Sequence, residues 1–152
     1  MKRLLAGVLA AIMMLSLFGC GNAQTASEFH SKVGESKALL DAVASAVLSN
    51  WYDAIYEDAF NDDINEAIDA ALTEHTEDLQ KIVEMDSEIT ELFKELKDDR
   101  VYGELCKDVM SAYQAYYDLV VKVSGSYNSF SEEHKQFEQD LTNALRNLSY
   151  EL

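Results

Sequence analysis

The sequence predicts an all-α protein, an up-down antiparallel bundle of four helices. Three observations carry that prediction. No proline occurs in the 152 residues. No glycine interrupts the chain between Gly34 and Gly103. Apolar residues recur at steps of three and four, which puts them on one face of a helix. Long stretches rich in Ala, Leu, Glu and Lys favour helix because these side chains lose little freedom there.

Ahead of the bundle stands a leader. Met1-Lys2-Arg3 puts positive charge first, and residues 4–17 carry none. A basic start, a short apolar run and small residues after it form the pattern of a secretory signal. The run is shorter than the roughly 20 residues that a membrane-spanning helix needs. Its end, Leu17-Phe18-Gly19-Cys20, resembles the lipobox of bacterial lipoproteins. That resemblance implies a diacylglycerol thioether on Cys20 and cleavage before it. Two acyl chains, each buried CH₂ contributing about 0.8 kcal/mol, give stable attachment. The expected order is a signal peptide over 1–19, a lipidated cysteine and polar tether over 20–27, and a helical domain over 28–152. The expected location is the extracytoplasmic face of the cell membrane, held there through lipid.

Four helices are expected near 27–60, 62–98, 100–124 and 129–150. The first carries Phe29, Val33, Leu40, Val43, Val47, Trp51 and Ile55. Its one weak point is Gly34. At "FNDD" the pattern pauses, and Asn61 is suited to cap a second helix with Asp62 and Asp63 near its positive end. That helix carries Ile64, Ile68, Leu72, Leu79, Ile82, Ile89, Phe93 and Leu96. The third carries Val101, Leu105, Val109, Tyr113, Tyr116, Val120 and Val123. Gly125 suits its C-terminus, and Ser129 with Glu132 matches a capping box for the fourth. Phe137, Leu141, Leu145 and Leu148 follow. Short connections make neighbouring helices antiparallel.

Charge narrows the function classes. Removing Lys2 and Arg3 from 12 basic residues leaves ten against 28 acids, a formal charge of −18. Nucleic acid is excluded as a partner, since it needs a basic surface. Residues 51–100 hold 17 acids and four bases. This reads as a solvated coat, as a docking face for a cationic cell-envelope protein or peptide with Glu77, Asp78, Glu84 and Glu88 as its centre, or as a loose Ca²⁺ site. Tyr117, on the flank of the tyrosine-rich "YQAYYDLVV", is a further partner-binding candidate.

Catalytic and metal motifs are missing from the sequence. Three residues before His30, His75 and His134 stand Ser27, Leu72 and Ser131, so no Glu-x-x-His pair exists. "DDINEAIDAALTE" lacks the glycine of a calcium loop. With Cys20 lipidated, Cys106 has no partner for a disulfide or a zinc site. His75 shares the apolar seam with Leu72 and Leu79, and is expected as a core residue with a hydrogen-bond partner. Asp86 is expected at the bundle's edge. No cofactor, metal or catalytic residue is expected.

The stretch from Tyr113 through "VSGSYNSF" into the last helix resembles small uncharacterised lipoproteins of Gram-positive bacteria. That likeness carries no implication about activity and adds only a preference for a one-membrane cell. The expected function is a membrane-anchored, non-catalytic interaction module with an acidic face. The alternative is a small-ligand or metal-binding protein, or an enzyme, with its site inside the bundle.

Overall fold

The computed structural model describes side chains for residues 22–152. The expected leader, 1–19, and Cys20 lie outside that range. Among the described residues there are helices and short connections but no strand. The helices are α1 (Lys2–Tyr56), α2 (Ile64–Glu74), α3 (Thr76–Leu96), α4 (Gly103–Val121) and α5 (Tyr127–Ser149), with a 3₁₀ turn, Ala59–Asp62, after α1.

The helix expected over 62–98 is two, broken at His75, whose ψ of 22° departs from helical geometry. Backbone bonds still run through the break, from His75 N–H to the Ala71 carbonyl and from Leu79 N–H to the His75 carbonyl. The result is a kink between α2 and α3 rather than a loop. Asp63, not Asn61, caps α2, its carboxylate accepting from the Asn65 and Glu66 amides. Asn61 instead adopts a left-handed φ of 51°, together with Asp58, Phe60 and Asp62. Four non-glycine residues there bear the steric cost of left-handed backbone.

α1 continues through Gly34, where an added Cβ would meet nothing within 4 Å. Part of the expected tether lies within the described residues. Residues 22–27 are helical, Ala26 is fully buried, and the Asn22 amide donates to Asp99. At the other junction Gly125 takes φ 92°, and Ser126 caps α5. The capping box pairs Ser126 with Ser129, three residues earlier than Ser129 with Glu132.

α1 is the spine of the molecule, in contact with each of the other helices. Phe29, Val33, Leu40, Val43 and Val47 of α1 are fully buried, as the spacing predicts. So are Ile82 and Ile89, Val109 and Val120, and Leu141 and Leu148. Each fully buried side chain of this size contributes about 1.5–3 kcal/mol. Contacts between α1 and α2–α3 run in opposite senses: Phe29 meets Phe93, Lys32 meets Glu88, and Asn50 donates to the Ala67 carbonyl. Those with α4 run in the same sense, Ser36 to Tyr113 and Asp41 to Tyr116. Against α5 they reverse again, Lys37 to Glu138 and Trp51 to Phe130.

Candidate functional site

The acids expected on one face do not act as one set. Glu77 and Glu84 border a shallow depression of about 330 Å³, with Gln80 and Lys81 between them. The Gln80 amide donates to Glu84 at 3.0 Å, and Lys81 supplies a positive charge in the middle. Asp78 turns to His75, whose Nδ1 lies 2.9 Å from its Oδ2. Glu88 turns to Lys32 on α1. His75 therefore has its expected partner but not its expected place, because its side chain remains 22% exposed at the kink.

The tyrosines of α4 divide between interior and edge. Tyr113 and Tyr116 are fully buried, and Tyr117 is half-buried with its ring 6.0 Å from that of Tyr113. Tyr117 lines a small depression with Asp86, Gln114 and Asp118. Burial raises the Asp86 pKa first, the Asp118 charge raises it further, and a hydrogen bond with Tyr113 opposes both. Tyr113 also shares a hydrogen bond with Ser36, 3.2 Å away, a fully buried polar residue. Cys106 is buried and free, and burial, then the Asp99 charge, push its thiol up to about 11.

A second interior network joins α1, α4 and α5. The Tyr116 hydroxyl donates to Asp41 Oδ1 at 2.7 Å and lies 2.9 Å from His134 Nδ1. A hydroxyl has one proton, so the His134 bond requires Nδ1–H as donor. Lys37 donates to Asp41 at 2.7 Å and to Glu138 at 3.0 Å. Burial works to lower the Lys37 pKa, but those two bonds outweigh it and the net shift is upward. Burial likewise lowers the His134 pKa against the pull of Asp41 and Glu138. Tyr116 is pushed up, first by burial and then by the carboxylate that holds its proton. No buried side-chain nitrogen or oxygen among the described residues lacks a partner. These interior groups spend their hydrogen bonding on one another, as structural networks do.

The open site lies at the end of the molecule where α1 stops. Trp51, Ile55 and Tyr56 from α1, Ile64 and Asn65 from α2, and residues 125–128 before and within α5 surround a cavity of about 520 Å³. Four of the exposed large apolar side chains fall here: Tyr52 (43%), Ile55 (41%), Tyr56 (59%) and Ile64 (38%). Tyr52 packs on Tyr56 with ring centres 4.7 Å apart, and Tyr127 lies edge-on to Trp51 at 6.2 Å. Periodicity assigns Ile55 and Ile64 to the core, but both lie where the helices run out of neighbours. The aromatic residues come from two segments about 70 positions apart, which no local pattern joins.

The segment that ends α1 and begins α2 supplies five of the residues lining this cavity, and its charge is of one sign, although no carboxylate is itself in the lining. Residues 51–66 hold six carboxylates, Asp53, Glu57, Asp58, Asp62, Asp63 and Glu66, and no Lys, Arg or His. None of the six takes part in an ion pair among the described residues, whereas Lys32, Lys37, Lys94, Lys107 and Lys122 all pair with acids elsewhere. No helix among the described residues is long and apolar enough to cross a membrane. Compared with protein-family models, curated proteins and solved structures, the chain matches none.

Proposed function

We propose that the chain is a lipid-anchored, extracytoplasmic interaction module that binds its partner through the aromatic end pocket. Its helices form an up-down bundle, α2 and α3 together acting as the second leg. The anchor rests on Leu17-Phe18-Gly19-Cys20. The contact surface rests on one observation, the open cavity lined by Trp51, Tyr56 and Tyr127 beside four exposed apolar side chains. Exposed apolar patches bounded by polar residues mark interaction sites. At a rise of 1.5 Å per residue, α1 holds that pocket about 50 Å beyond Asn22. The lipid end and the binding end are thus opposite ends of one helix.

Mass spectrometry of the mature protein tests the anchor, with a diacylglycerol-modified Cys20 at the N-terminus as the expected result. An unmodified terminus at another residue overturns it. A photo-cross-linking side chain placed at Tyr56 or at Glu84 in intact cells tests the surface. Adducts are expected from position 56. Adducts from position 84 alone would return the contact to the acidic face of α3.

A further inference from the structure

We propose that the end pocket takes an arginine side chain on a cationic, partly apolar peptide segment of the partner. The inference rests on the reading of this pocket as the contact surface, and adds the chemistry of what enters it. Two independent features converge on a cation. The first is aromatic: Tyr52, Tyr56 and Tyr127 gather at one mouth over the buried Trp51, and ring faces attract a guanidinium electrostatically. A planar guanidinium also stacks on such faces, which a compact ammonium cannot do. The second is charge: residues 51–66, which supply five of the pocket's lining residues, hold six carboxylates and no base, and none of the six is in an ion pair among the described residues. Ile55 and Ile64 line the same cavity and suit the methylene stem of the arginine. Asn65 and Asn128 bring amide oxygens that accept N–H bonds from its head.

The same charge disfavours the other occupants of an apolar pocket. A second copy of this chain would bring a like-charged end against it. An anionic lipid surface would be repelled, and a neutral apolar ligand would gain nothing from the carboxylates.

The chain contains a single tryptophan, and Trp51 lines the pocket, so its fluorescence reports occupancy. The full chain in neutral-lipid nanodiscs would be titrated with acetyl-Leu-Arg-Leu-Arg-amide. Parallel titrations would use the peptide with citrulline for arginine, which keeps shape and loses charge, and one with glutamate. The expected result is a saturable change with the arginine peptide, at least about tenfold weaker with citrulline, and none with glutamate. Raising the ionic strength from about 0.05 M to about 0.5 M should weaken arginine binding. Tyr56→Ala, at an exposed position, should weaken it while leaving the circular dichroism spectrum unchanged. Equal affinity for arginine and citrulline peptides would overturn the arginine assignment while keeping the pocket as a binding surface. No response to any peptide, self-association in sedimentation, or adhesion to anionic vesicles through this end would overturn the proposal.

Discussion

Tyr116 links three helices through one hydroxyl, which donates to Asp41 of α1 and accepts from His134 of α5. Tyr116→Phe keeps the ring and removes the hydroxyl, leaving both partners short of a bond. It should cost about 1–3 kcal/mol in urea denaturation, the range for a buried polar group left unsatisfied. His134 adds a pH dependence. Its folded pKa lies below the ordinary 6.5, mainly because burial disfavours the cation. At pH values above 6.5 both folded and unfolded states are neutral there, and nothing is lost. As pH falls below 6.5 the unfolded chain takes up a proton that the folded one resists, so stability declines. Stability measured between pH 7.5 and about 5.5 should fall, and His134→Gln should flatten that decline. The rings of Tyr113 and Tyr116 were legible as core residues from their spacing alone. Their hydroxyl partners were not, because Ser36 and Asp41 stand more than 70 residues away in the chain.

Helix type was readable because breakers are scarce, but helix boundaries were set by interactions that spacing does not encode. Asp63 captures two amides and so fixes the start of α2, while its neighbour Asn61 is diverted into left-handed backbone. Nothing in the apolar period marks the kink at His75, since Leu72 and Leu79 continue the seam on either side. Ser129 was recognised as a capping residue but acts as the third residue of its helix, answering Ser126. Gly34 is the converse case, a residue that suggests a break and sits inside continuous helix. Its missing Cβ serves no close approach, because the space around it is open. Gly34→Ala should therefore stabilise the protein by about 0.5–1 kcal/mol, the entropic penalty that glycine carries in a helix. Thermal denaturation would check it, and a lower melting temperature would show that the glycine has a role beyond the helix.

At the scale of the molecule, the acidic composition was plain from the sequence, but its distribution was not. Acids along α3 are partly answered by Lys32, Lys81 and Lys94, whereas those of residues 51–66 are in no ion pair among the described residues. Only the fold reveals which run of carboxylates stays unneutralised, because Lys32 reaches Glu88 from another helix. The central place of α1 has a kinetic side as well. Lys37 finds Glu138 across 101 positions, and Trp51 waits for Phe130 and Tyr127. A chain emerging from the ribosome in order makes its spine early and supplies the last wall of the groove around it late. Contacts this distant in sequence slow folding, since a long loop must close before they form. A chain stopped at Ser124, lacking α5, should bind a hydrophobic dye strongly and lose protection from protease along α1. Until α5 is made, the side of α1 that Phe130 and Glu138 cover stays bare, so the fold should become rigid only when its final helix has packed.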